Sequence, residues 1–169
     1  MNAAFLAKIG RRLLTEDDAL RAKVVQGKYF GNDSRRGGGG GVLRDSMGYW
    51  IAALLVCLKV CNSKQAELNA FHHGLRMAWD LGFRRLLVEL DSRTILDLVS
   101  KMEDMPNLRF INLVSQYREL INRSWQVQLV HCYREANKMT DGLANFAVTT
   151  PMGLHLLLSP LGKVVNLIS

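Results

Sequence analysis

From residue 41 onward the apolar residues of this 169-residue chain switch between a two-residue and a 3.6-residue repeat, and that alternation most narrows the folds open to it. Gly41–Asp45 and Tyr49–Cys61, separated by Ser46-Met47-Gly48, read as a β-hairpin. Lys64–Leu81 carries Ala66, Ala70, Phe71, Gly74, Leu75 and Ala78 on one helical stripe and stops before Gly82. Arg85–Asp91 alternates again, with Leu86, Val88 and Leu90 on one face. Ser92 is placed to cap a helix running to Lys101, Pro106 breaks the chain, and Leu108, Ile111, Val114 and Ile121 mark a further helix. Gln126–Tyr133 alternates as a strand, Arg134-Glu135-Ala136-Asn137 forms a loop, and Met139–Val148 closes as a helix. The order β-β-α-β-α-α-β-α predicts an α/β fold, a mixed sheet with flanking helices. The tail from Pro151 is apolar but interrupted by Gly153, Pro160 and Gly162, and is assigned to no element.

Upstream of this the pattern differs. Phe5, Leu6, Ile9, Leu13 and Leu14 recur at helical spacing, and Thr15 followed by Glu16, Asp17 and Asp18 resembles the capped, acidic start of a second helix. That helix is expected to run through Val24 and Val25 and to stop at Gly27 or Gly31. Gly37–Gly41 then reads as a flexible joint, because a polyglycine run has maximal backbone freedom. A phosphate-cradling loop would need a preceding strand, a following helix and a Lys-Ser/Thr ending, none of which this pattern offers. The expected organisation is a helical segment at 1–31, a Gly-rich joint at 32–40, a main domain at 41–160 and a tail at 161–169.

Composition limits the function classes. Apolar residues make up 49%, enough for a buried core, and 22 Lys and Arg against 15 Asp and Glu give a net charge of +7. Such a balance favours an anionic partner. Five of the seven net charges fall within residues 1–44. Three cysteines, Cys57, Cys61 and Cys132, form no disulfide framework and fit a reducing compartment. The start of the chain has no secretory pattern, and its longest apolar stretch, Trp50–Leu58, falls short of the ~20 residues needed to cross a bilayer. A soluble intracellular protein without membrane contact is expected.

Three acids stand in apolar or small-residue surroundings: Glu67 on the stripe of Ala70 and Phe71, Asp91 at the end of a strand, and Asp141 at the start of a helix beside Gly142 and Ala144. The carboxyl end of a strand is where open α/β sheets place ligands. An inward carboxylate is costly unless paired or bound to a cation, and two such charges ~4 Å apart repel by ~4 kcal/mol at an effective dielectric of ~20. A divalent ion would offset that repulsion. Taken singly, Asp91 and Asp141 also read as helix N-caps and Glu67 as part of a rim salt bridge.

The strings Gly-Val-Leu-Arg-Asp (41–45), Ala66-Glu67-Leu68, Val88-Glu89-Leu90-Asp91-Ser92 and His131-Cys132-Tyr133-Arg134-Glu135-Ala136-Asn137-Lys138-Met139-Thr140-Asp141-Gly142-Leu143-Ala144 together resemble the type-1 ribonuclease H domain, in its plant form derived from non-LTR retrotransposons. The resemblance implies a five-stranded mixed sheet with helices, and hydrolysis of the RNA strand of an RNA–DNA hybrid. It also implies a two-ion Mg²⁺ site, with Mn²⁺ as the alternative metal, in which the ions activate water and stabilise the leaving oxygen. Glu67, Asp91 and Asp141 match the second, third and fourth carboxylates, and Ser92, Arg134, Asn137 and Lys138 become candidates for substrate contact. The family's first carboxylate belongs to an Asp-Gly-Ala/Ser motif on a leading strand, and no such motif precedes residue 41 here. Asp33 is the one nearby acid that could stand in for it. Residues 4–31 are similar to the region downstream of a retroelement reverse transcriptase. The two resemblances together suggest an internal deletion or splice that removed the first strand, leaving the fold short of it.

Other residues carry less. His131 is a strand histidine that either shuttles a proton or is held by hydrogen bonds. Cys57 and Cys61, four apart on a strand, would lie ~13 Å apart, too far for one zinc ion. His72-His73 reads as a solvated helix face and Trp50, Trp79 and Trp125 as core or edge aromatics. Arg84-Arg85 and Arg134/Lys138 read as either phosphate contacts or ordinary surface. The functional expectations are an RNA–DNA hybrid ribonuclease, a non-catalytic remnant that keeps the fold, or a basic helical adaptor built on residues 3–28. None of these calls for a protein partner.

Overall fold

The computed structural model describes residues 21–30 (as backbone), 36–59, 61–100, 110–133 and 138–160. Among the described residues, six strands form one sheet: β1 (Arg21–Phe30), β2 (Gly37–Arg44), β3 (Trp50–Leu58), β4 (Arg85–Leu90), β5 (Gln126–His131) and β6 (Gly153–Leu157). Four helices accompany it: α1 (Ser63–Asp80), α2 (Arg93–Ser100), α3 (Ile111–Ile121) and α4 (Lys138–Ala147). The spatial order is β5-β4-β1-β2-β3-β6. β1 runs parallel to β4 and antiparallel to β2, β4 and β5 are parallel, and β3 pairs antiparallel with β2 and β6. The mixed, helix-flanked sheet is the one the sequence pattern predicts. Among the described residues no helix is long and apolar enough to cross a membrane.

Two apolar layers enclose the sheet. Leu43, Ala52, Leu54 and Val56 pack with Phe71, Leu75 and Ala78 of α1, and this cluster extends through Val88, Leu90, Ile95 and Tyr117. Their strand neighbours Val42, Ala53 and Leu55 pack on the other side with Leu143 and Ala147 of α4. A strand covered on both faces has no polar face to alternate, so Ala52–Cys57 is buried without interruption. The β2–β3 turn is held by Asp45, whose Oδ1 accepts from the backbone N–H of Met47 at 3.0 Å and of Tyr49 at 2.8 Å. Gly48 there takes φ +86°, a left-handed conformation that favours glycine.

Two expectations are corrected. The first strand is not missing: residues 21–30, expected to finish a helix, form β1 between β4 and β2. Residues 1–20 and 31–35, and with them Asp33 and the first expected helix, lie outside the described residues. Nor is the polyglycine run a joint over 37–41, for those residues form most of the buried strand β2. The reason is steric. A Cβ built on Gly39 would stand 2.7 Å from Ala70 Cβ and 3.0 Å from the Ala66 carbonyl oxygen of α1. On the opposite face, a Cβ on Gly40 would stand 2.8 Å from Leu143 Cβ and 2.9 Å from the Thr140 carbonyl oxygen of α4. Glycine lets two helices close on one strand from both sides. The tail left without assignment contributes β6, which covers the edge of β3.

Candidate active site

The three acids sit on three different elements. Glu67 lies in α1, whose start is fixed by a capping box: Asn62 Oδ1 accepts from Gln65 N at 2.9 Å and Gln65 Oε1 accepts from Asn62 N at 3.0 Å. The helix presents Ala66, Ala70 and Phe71 to the sheet and carries Glu67 inward with them, leaving it 3% exposed. Glu67 is thus interior and not at the rim. Asp91 directly follows β4 at its carboxyl end and is half-buried. Ser92, not Asp91, caps α2, its Oγ accepting from Ile95 N at 3.4 Å. Asp141 is the fourth residue of α4, within its first turn, where the helix dipole favours a carboxylate. It is therefore not the N-cap. Oε1 of Glu67 and Oδ1 of Asp141 are both sealed from solvent.

Strand register shows where these elements meet. Gly40, against the Thr140–Ala144 stretch of α4, pairs with Gly27 of β1. Gly39, against Ala66 of α1, pairs with Lys28. On the other edge of β1, Val25 is level with Glu89 of β4. Continuing that register sets Gln26 level with Leu90 and Gly27 level with Asp91. Residues 26–28 of β1 thus lie where the acid-bearing parts of α1, α4 and β4 come together. Among the described residues, however, no group of three or more His, Cys, Asp or Glu side chains is arranged to hold a metal ion.

The candidate substrate residues divide. Ser92 is half-buried and engaged as a cap, and Lys138 is exposed at the first position of α4. Arg134 and Asn137 lie outside the described residues. His131, at the end of β5, is half-buried and meets Tyr133 edge-on at 5.7 Å, while Tyr133 itself is 71% exposed. Arg84 and Arg85 are exposed, and the Arg84 guanidinium lies 4.0 Å from the centre of the Trp79 ring and donates to the Phe83 carbonyl at 2.9 Å. Trp79 and Trp125 pack edge to face at 5.3 Å, as aromatics of the core margin. His72 and His73 depart from the solvated face expected of them. Both are half-buried, and burial holds both rings below the ordinary imidazole pKa. Sequence reasoning missed β1, and with it Gln26-Gly27 at this meeting point; the signal was a glycine-bearing dipeptide directly after the β-branched Val24-Val25.

Comparison with known proteins bears on the family and the fold. A family model described as reverse transcriptase-like matches residues 25–147, beginning inside β1. A protein of Arabidopsis thaliana named as a candidate ribonuclease H is 38% identical over 117 residues, covering 69% of this chain. The chain spans only 18% of that relative's length. Ribonuclease H1 from the archaeon Halobacterium salinarum superposes with a TM-score of 0.70 at 22% identity, over 76% of this chain and 98% of that one. A ribonuclease H1 solved in complex with an RNA/DNA hybrid superposes with a TM-score of 0.69 at 16% identity, over 76% and 97% of the two chains. At such identities the structural likeness establishes the fold.

Proposed function

The chain belongs to the reverse transcriptase-like family and has the ribonuclease H fold, and from that premise we propose that it acts on RNA–DNA hybrids as a ribonuclease H-type domain. Glu67, Asp91 and Asp141 are its acid residues, and hydrolysis of the RNA strand is its reaction. The observation that carries this reading is the meeting of α1, α4 and the end of β4 around residues 26–28 of β1, which brings three acid-bearing segments to one end of the sheet. The relative solved with a hybrid shares this fold, which supports the same ligand class here. Exposed Lys138, with Arg134 and Asn137 just before it in sequence, supplies groups that meet phosphate and sugar rather than base edges. Ser92 serves by holding the start of α2 beside Asp91.

The resemblance implies Mg²⁺, with Mn²⁺ as the alternative. Carboxylates are the hard oxygen donors such an ion prefers. The arrangement does not yet fit it, since the described residues assemble no three-ligand group. That mismatch favours a second reading, a domain that holds the hybrid with little or no turnover.

One experiment separates the two. A labelled RNA–DNA hybrid is incubated with Mg²⁺ and either the wild-type chain or Asp91→Asn, and binding is followed by anisotropy in parallel. Cleavage by the wild type that disappears in Asp91→Asn supports the nuclease. Binding with equal inactivity supports the second reading. Failure of the wild type to bind hybrid overturns both.

A further inference from the structure

We infer that Gln26 marks the position at which this acid site lacks a carboxylate, and that this neutral residue limits the loading of a divalent cation. The inference rests on the ribonuclease reading of the site.

β1 lies between β4 and β2, and like the glycine strand β2 it brings no acid to the meeting point: its ten residues are Arg-Ala-Lys-Val-Val-Gln-Gly-Lys-Tyr-Phe. α1, α4 and β4 each deliver one carboxylate to that end of the sheet. Register selects the position. Gln26 pairs with Gly41 across β2, directly beside the Gly27–Gly40 pair that faces Thr140 of α4. On the β4 side it comes one position after the Val25–Glu89 pair, the last of that register, and so toward Leu90 and Asp91. Gly27 keeps the glycine of the Asp-Gly pair that the resemblance sets on a leading strand, and Gln26 puts an amide where that pair has its acid.

The chemistry follows from charge count. Affinity for Mg²⁺ or Ca²⁺ at oxygen sites rises with the number of anionic ligands, and an amide oxygen carries no net charge. Three carboxylates at one end of the sheet repel one another less than four would, so a missing fourth favours the apoprotein at the expense of metal affinity.

The test uses the full chain in four forms: wild type, Gln26→Asp, Gln26→Glu and Gln26→Asn. Gln26→Glu matches glutamine in shape and changes only its charge, so it reports even if the shorter aspartate perturbs folding. Gln26→Asn is neutral and controls for length. Mg²⁺ and Mn²⁺ are titrated by calorimetry without nucleic acid, and melting temperature is followed in chelator and in metal. At least one of the acidic variants is expected to bind metal about tenfold or more tightly than wild type. It should also melt lower than wild type in chelator and recover with added metal. Gln26→Asn is expected to do neither, and Asp91→Asn in the Gln26→Asp background is expected to cancel the gain. The inference is overturned if the wild type already binds as tightly as the acidic variants, or if neither acidic variant differs from Gln26→Asn. Hybrid binding measured on the same samples keeps the two proposals apart. If the wild type binds hybrid but the acidic variants gain no metal, only this inference fails; if the wild type does not bind hybrid, the ribonuclease reading fails.

Discussion

At the scale of single residues, the glycines of β2 and the paired histidines of α1 carry most of the checkable physics. Gly39 gives way to Ala70 on one side of the strand and Gly40 to Leu143 and Thr140 on the other. Added side-chain atoms must therefore push a helix outward. Gly39→Ala and Gly40→Ala are each expected to cost about 1–3 kcal/mol, read from urea unfolding midpoints. A flexible joint would tolerate both changes, and Gly→Ala there would even stabilise slightly. His72 and His73, their rings 5.3 Å apart, are held below their ordinary pKa chiefly by burial, helped by Arg76 and, for His73, by the neighbouring His72. The unfolded chain takes up protons on these rings at a higher pH than the folded one does. Stability is therefore present in full above the unfolded imidazole pKa and is lost as pH falls through it toward the lower folded values. Melting temperature should drop as pH is lowered from about 7 to 5.5, and His73→Gln should flatten that drop.

At the scale of elements, local signals and tertiary demands part company. α1, the β2–β3 hairpin and β4 were legible because their reasons are local: an apolar stripe, an Asp-Ser-Met-Gly turn, an alternating run. The start of α1 depends on Asn62 and Gln65 capping each other. Asn62→Ala is expected to lower stability by about 1 kcal/mol, measured by thermal or urea unfolding, with Gln65→Ala losing less because the Asn62 side chain still accepts from the backbone N–H of residue 65. The polyglycine strand was not legible, because nothing local marks it. Its glycines are explained by Ala66, Ala70, Thr140 and Leu143, residues 26 or more positions away in sequence. β1 was hidden for a related reason. Thr15 and the acids at 16–18 resemble a capped helix start that would carry through Val24 and Val25, a local signal that the sheet overrides. The acid site was half legible. Glu67, Asp91 and Asp141 could be named from their surroundings, whereas Gln26 acquires meaning only once β1 is seen between β4 and β2.

For the whole molecule, the charge balance and the sheet order bear on function together. Residues 1–20 carry three basic and three acidic side chains, so the positive excess of the N-terminal part belongs to residues 21–44, which include β1 and β2. Removing residues 1–20 should therefore leave the affinity for an RNA–DNA hybrid within about twofold, and leave its fall with rising salt unchanged, in an anisotropy titration. A large loss of affinity would point instead to an adaptor built on that segment. Everything functional rests on β1 being the central strand, since it is the meeting point of the acid-bearing elements and places Gln26 among them. Native-state hydrogen exchange resolved to single amides tests this most directly. The account predicts that the amides of Val24–Gly27 and Gly38–Gly41 are among the slowest in the protein, exchanging with those of Leu54 and Val88 at close to the free energy of global unfolding. Exchange of Val24–Gly27 at the rate of an unstructured chain, with Leu54 and Val88 still protected, would contradict it.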